Sequence, residues 1–182
     1  DLASSNSTDL KTEKAFTEHN RMGRQIEFGV REHGMQAIAN GIAYYGLKGI
    51  VPFTATFFVF IQYLMPSLRC ACLERLRTIL IMTHDSIGVG EDGSTHQPVE
   101  TLAQCRSLPN ISVFRPCDQL EVFAAYASAF CGPSRPTVIV LSRQNAQICN
   151  GACYEGALKG GYIIKKQQNG QPGAEFKPKL VI

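Results

Sequence analysis

The sequence predicts an α/β protein: a doubly wound, mainly parallel sheet with helices on both faces. Three observations predict it. Short apolar, β-branched runs alternate with segments of helical period along the chain. The run Thr78-Ile79-Leu80-Ile81-Met82-Thr83 carries no charge, as expected of a strand covered on both faces. Residues able to do chemistry gather in the loops behind such runs, where α/β proteins keep their ligand sites.

Residues 1–24 read as polar loop with a short helix near 11–16, and residues 26–30 as a short strand. Met35, Ile38, Ala39 and Ile42 fall at i, i+3, i+4 and i+7, which predicts a helix over 32–45. Gly46 and Gly49 break it. Residues 50–54 form the next predicted strand. Phe57, Phe60, Ile61 and Leu64 repeat the helical spacing, and this helix is expected to reach 76 with a kink or break at Pro66. After the strand at 78–83 and a long loop come a helix over 99–107, a strand at 111–114, a helix marked by Leu120, Phe123, Ala124 and Ala127, and a strand at 137–141. Residues 142–178 are less regular, with one further strand expected at 160–164.

The bulk composition is that of an ordinary soluble domain, 45% hydrophobic and 18% charged. A net charge of +3 with dispersed basic residues gives no argument for nucleic acid or an anionic membrane, so neither partner is expected. No apolar run approaches the ~20 residues of a membrane span. The seven cysteines are odd in number and mostly lie in apolar contexts. Reduced thiols in a cytoplasmic protein are expected, with Cys149 and Cys153 a weak disulfide pair. Both ends read as cut, so the chain is expected to be a piece of a longer protein.

The stretch from Thr83 to Pro98 holds His84, Asp85, Glu91, Asp92 and His96 among three glycines. A connecting loop needs turn formers, not two imidazoles and three carboxylates. Gly88-x-Gly90-x-x-Gly93 matches the dinucleotide-binding pattern. That motif needs a turn directly from strand into helix, facing a pyrophosphate. Here Glu91 and Asp92 would repel phosphate and Pro98 delays the helix, so the oxidoreductase reading is weak. The trio His84, Asp92 and His96 suits either a divalent metal or a polyhydroxylated substrate. Three further groups stand out: Arg31-Glu32-His33 at a helix start, the aromatic series Phe57, Phe58, Phe60 and Tyr63, and Arg143 behind a strand. An acid in a first helical turn offsets the helix dipole, aromatics at helical spacing serve a core, and a surface arginine forms ion pairs. Each group therefore has a purely structural reading as well.

Together, Gly29-Val30-Arg31-Glu32-His33-Gly34-Met35, Ala39-Asn40-Gly41-Ile42, the 83–98 loop, Phe114-Arg115-Pro116-Cys117-Asp118 and Leu141-Ser142-Arg143-Gln144-Asn145 resemble the pyrimidine-binding domain of transketolases. The resemblance runs from residue 1 to about 164. It implies a pyrimidine-binding domain over 1–164, and a linker with the first strand of a further domain over 165–182. It implies thiamine diphosphate as cofactor, with Glu32 hydrogen-bonding the aminopyrimidine and Phe57, Phe60 and Tyr63 forming its pocket, Phe60 stacking on the ring. Asp1 falls on an aspartate near the cofactor. Ser5, His84 and Arg143 match groups that bind the substrate phosphate, Asp92 a carboxylate that reads a hydroxyl, and His96 an imidazole at the reacting carbonyl. Mg²⁺ or Ca²⁺ would be held by a domain outside this chain, and no metal ligand is assigned within it. The implied partners are phosphorylated sugars and the N-terminal diphosphate-binding domain of a second subunit in a homodimer.

The implied reaction moves a two-carbon ketol unit from a ketose phosphate to an aldose phosphate in the pentose phosphate pathway, and the chain alone is expected to be inactive. A dihydroxyacetone synthase-like transferase and a non-catalytic binding domain are the alternatives. Ser94 stands where the family usually has proline. No Gly-Asp-Gly diphosphate motif is present.

Overall fold

The computed structural model describes residues 2–164. Four strands, β1 (Phe53–Phe57), β2 (Ile79–Thr83), β3 (Ser112–Phe114) and β4 (Thr137–Val140), form one sheet in the order β1-β2-β4-β3. All three pairings are parallel. The helices are α1 (Ala3–Asn6), α2 (Glu32–Tyr45), α3 (Ile61–Leu73), α4 (Thr101–Arg106), α5 (Gln119–Cys131) and α6 (Tyr154–Leu158).

Strand order decides where the helices lie. The chain steps in one direction from β1 to β2 and on to β3, through α3 and α4. It then steps back from β3 to β4 through α5. Right-handed crossovers put a helix on the face set by the direction of the step, so the reversal sends α5 to the other face. Two cores follow. Leu80, Met82, Val138 and Val140 meet Met35 of α2, Ile61, Leu64, Leu68 and Cys72 of α3, and Cys105 of α4. On the opposite face Ala55, Ile79, Ile81 and Ile139 meet Ala125 and Ala129 of α5. The period of two along β2 thus divides its side chains between the cores, and every residue of that strand is buried. The expected doubly wound α/β class is what the chain adopts.

Polar bonds align α2. Buried Gln36 accepts from Thr54 Oγ1 at 2.9 Å and donates to Asn40 Oδ1 at 2.8 Å, and Asn40 Nδ2 donates to the Ser67 carbonyl at 2.8 Å. Glu32 is consequently set at the first position of a helix fixed to both β1 and α3. Gly46, at φ 73°, ends that helix in the left-handed conformation glycine adopts without cost.

Several local expectations are corrected. Residues 11–16 form turns, not helix, and Ala15 bridges to Gln25. Residues 26–30 are irregular because Gly29 takes a φ of 64° and Arg31 N–H turns back to its carbonyl. The first strand begins at Phe53, not 50; Ile50 N–H is spent on a turn to Leu47. Phe57 is the last residue of β1, and a single 3₁₀ turn (Phe58–Phe60) precedes α3. α3 continues across Pro66 and stops at Leu73, where Arg75 at φ 52° turns the chain. α5 buries Ala124, Ala125 and Ala129 and leaves Leu120 and Phe123 exposed. Residues 160–164 form no strand, and α6 was not expected. The linker and strand expected over 165–182 lie outside the described residues.

Candidate functional site

In a parallel sheet all strands end at one edge, so the segments after β1, β2, β3 and β4 emerge together. β2 ends at Thr83, and His84 follows in the left-handed region at φ 59°. That turn folds the imidazole back until it stacks on Phe57 at the end of β1, with centroids 3.7 Å apart and planes at 22°. His84 is 6% exposed. Thr83 Oγ1 donates to Asn6 Oδ1 and lies 2.9 Å from His84 Nδ1. A hydroxyl carries one proton, so Nδ1 is the donor to Thr83 and Nε2 is left an acceptor in the neutral ring. The same bond to buried Asn6 pins α1, and with it exposed Ser5, beside the end of β2.

Burial pushes the His84 pKa below its ordinary 6.5. The Asp92 carboxylate opposes the fall, Arg143 and His96 add to it, and Asp85 opposes it more weakly. Asp92, Asp85, His96 and Arg143 are thus the groups whose charge acts on this imidazole. His96 ends a short 3₁₀ turn (Ser94–His96), takes Thr95 Oγ1 at 2.9 Å, and sets its ring edge-on to Phe60 at 5.4 Å and to Phe57 at 6.5 Å. Gly93, between the turns carrying Asp92 and His96, has φ 72° and ψ −167°, a conformation essentially reserved for glycine. Phe57, Phe60 and Tyr63 form a stepped aromatic series, with centroids 5.8 and 6.1 Å apart. It runs from buried Phe57 to Tyr63, which is 66% exposed.

Arg143 reaches this loop because β4 lies next to β2. Its guanidinium passes over Gly90, where a Cβ would come within 3.5 Å of the Arg143 Cζ. Gln144 Nε2 donates to the Gly88 carbonyl. Two residues without an assigned role prove structural here. Arg115, behind β3, reaches Asp85 Oδ2 with Nη2 at 3.0 Å and Nε at 3.1 Å. Asp85 Oδ1 stays buried with no hydrogen-bond partner among the described residues. Asn6 had no signal in the sequence; Gln144, Arg115 and Asp85 lay within the motifs above.

Glu32 is buried at the N-terminus of α2. Among the described residues it has no hydrogen bond or ion pair with the loop group. Asp1 lies outside the described residues. His84, Asp92 and His96 do not converge to metal-ligand distance, which removes the metal reading of that trio; among the described residues the one such cluster is Cys117, Asp118 and Cys149. A cavity of about 1090 Å³ lies elsewhere, between the N-terminal segment, α2 and β1. Its lining mixes apolar side chains with Asp9, Arg21, Arg24 and Glu27 and holds none of the 83–98 loop, so the grouping at the sheet edge identifies the candidate site better than size does. No helix among the described residues is long and apolar enough to cross a membrane.

Residues 1–148 match the family model described as the transketolase pyrimidine binding domain. A chloroplastic transketolase from Craterostigma plantagineum is 47% identical over the whole chain, which spans 34% of that relative. A transketolase from Halalkalibacterium halodurans is 49% identical over 167 residues, 90% of this chain and 25% of the relative. Among solved structures, transketolase from Pichia stipitis in complex with sedoheptulose-7-phosphate superposes with a TM-score of 0.87 at 43% identity. That match covers 92% of this chain and 25% of the other. The chain thus spans a quarter to a third of the length of these relatives.

Proposed function

The chain belongs to the transketolase family as a pyrimidine-binding domain, and from that premise we propose that it forms one wall of a thiamine diphosphate site catalysing ketol transfer between sugar phosphates. One observation carries the reading. His84 and His96 meet the aromatic series Phe57, Phe60 and Tyr63 at the carboxyl edge of the sheet, Arg143 passes over Gly90 of the same loop, and the Asp92 carboxylate acts on the His84 imidazole.

The residues fit the cofactor. A flat ring needs an apolar face, and the stepped aromatics offer one that is open on the Tyr63 side. An aminopyrimidine nitrogen needs a carboxyl withdrawn from water, and Glu32 is 6% exposed. Thiamine diphosphate, when bound, supplies the carbon nucleophile and electron sink that the protein lacks. The side chains do the rest. Glu32 shares a proton with the pyrimidine ring, while Phe57, Phe60 and Tyr63 orient it and exclude water. Arg143 offers paired donors to the substrate phosphate, and Ser5 a hydroxyl. His84, neutral with Nε2 as acceptor, donates to phosphate once the dianion draws a proton onto it. Asp92 accepts from a sugar hydroxyl. His96 moves a proton at the carbonyl oxygen.

The reading further assigns Asp1 to the cofactor's surroundings and the pyrimidine-binding unit to 1–164. It places a divalent ion, Mg²⁺ or Ca²⁺, on the diphosphate-binding domain of a partner subunit in a homodimer. The 182-residue chain alone supplies half a site and turns nothing over. The proposed compartment is the cytoplasm; the chloroplastic relative favours a plastid as second reading.

The test is Glu32→Gln in the full-length enzyme with thiamine diphosphate, Mg²⁺, a ketose phosphate and an aldose phosphate. Loss of a positioned proton-transfer group predicts a roughly 10²–10⁴-fold fall in kcat with the fold intact. A change under about threefold rejects the role given to Glu32.

A further inference from the structure

β3 and β4 are neighbours, so the loops leaving them run side by side. The first leads through Arg115-Pro116-Cys117-Asp118 into α5; the second carries Arg143, Gln144 and Cys149. Asp118, 2% exposed, joins them. Its Oδ1 accepts from Glu121 N–H at 3.1 Å, and its Oδ2 from Cys149 N–H at 3.0 Å. Glu121 returns the contact, with Oε2 accepting from Cys117 N–H at 2.7 Å and Oε1 from the Tyr162 hydroxyl at 2.8 Å. Both cysteine backbones are therefore held by carboxylates. Their sulfurs face each other at 3.9 Å, with Cys117 exposed and Cys149 half-buried. Cys153, the partner expected for Cys149, instead caps α6 by accepting from Gly156 N–H.

We propose that Cys117 and Cys149 form a reversible disulfide that locks the loop carrying Arg143 and Gln144 to the start of α5. Forming the bond closes the sulfurs from 3.9 Å to the roughly 2.0 Å of a disulfide. The oxidant is a small-molecule disulfide, RSSR. Cys149 thiolate attacks one sulfur of RSSR; that S–S bond breaks and RS⁻ leaves. The Cys117 sulfur, losing its proton, then attacks Cys149 sulfur in the mixed disulfide, and the second RS⁻ leaves. The protein gives up two electrons and two protons, and two RSH form. Burial first, then hydrogen bonds to Glu121 and Cys149, push the Cys117 thiol up to about 12. A zinc ion is the lesser candidate. The cluster offers three ligands, and both Asp118 oxygens already accept backbone N–H groups.

The test equilibrates the 182-residue chain with oxidised and reduced glutathione, quenches with acid, alkylates, and maps peptides. The expected product has lost two hydrogens, carries a Cys117–Cys149 cross-link, and reverts with dithiothreitol. Cys117→Ser and Cys149→Ser each abolish it with unchanged circular dichroism. Amide hydrogen exchange over 144–149 slows by about tenfold on oxidation, as a loop losing its opening motion should. Overturning results are a cross-link to Cys153, glutathione adducts only, unchanged exchange in the loop, or equimolar Zn²⁺ shielding both thiols that glutathione leaves reduced.

Discussion

Asp118→Ala removes two hydrogen bonds from one buried side chain. The first is the cap of α5, for which loss costs about 1 kcal/mol. The second is the charged acceptor for Cys149 N–H; such bonds contribute about 1.5–3 kcal/mol, and the half-buried Cys149 argues for the lower end. Together they predict a loss of about 2.5 kcal/mol. At about 2–4 °C per kcal/mol for a chain of this size, Tm should fall by about 5–10 °C. Asp118→Asn separates the two. Asparagine caps as well as aspartate, but its amide NH₂ must face one of the two N–H groups, so about half the loss is expected. Urea unfolding followed by circular dichroism gives both values, with an unchanged slope showing that the unfolded state is unaffected. Hydrogen exchange at Cys149 should lose protection in the alanine variant while β4 keeps its own. An alanine variant within about 0.5 kcal/mol of the parent, or an asparagine variant as damaged as alanine, would refute the reasoning.

In the full-length enzyme, Arg143→Ala should raise KM for phosphorylated sugars by about ten- to a hundredfold, the worth of a charge-assisted hydrogen bond. Unphosphorylated sugars should change little, and equal effects on both would remove the phosphate contact. His84 has a folded pKa below its ordinary 6.5, so the unfolded chain binds the proton first as pH falls. Its contribution to stability is complete above that value and declines below it, until the folded ring also charges. His84→Asn should flatten the acid side of a plot of urea midpoint against pH; an unchanged slope between pH 7.5 and 5.5, to within about a tenth of the midpoint, contradicts a buried neutral imidazole. Thr56 is fully buried, and its hydroxyl has no partner among the described residues. Thr56→Val should therefore stabilise by about 1 kcal/mol in urea unfolding, and a loss of that size would mean the hydroxyl is bonded.

Local patterns were legible where one physical cause dominated. The helical spacing from Met35 to Ile42 returned α2 with both ends correct, because an apolar stripe and a terminal Gly46 act together. The continuous apolar run returned β2, since only a strand with two covered faces buries every residue. Expectations failed where two causes competed. The 57–64 series has helical spacing, yet Phe57 belongs to β1 and stacks on His84. Residues 26–30 are apolar enough for a strand, but Gly29 bends the backbone out of pairing.

By itself, the sequence determined the fold class, the long helix, the central strand, and the identity of the residues in the 83–98 loop, all of which follow from short-range periodicity and residue chemistry. The tertiary structure alone decided which of them meet. β4 is inserted between β2 and β3, and this long-range pairing brings Arg143 over Gly90 and Arg115 to Asp85. It also sets the β3 and β4 loops side by side, so that Cys117, and not Cys153, faces Cys149. Strand order depends on contacts between residues far apart in the chain, and spacing along the sequence carries no record of it.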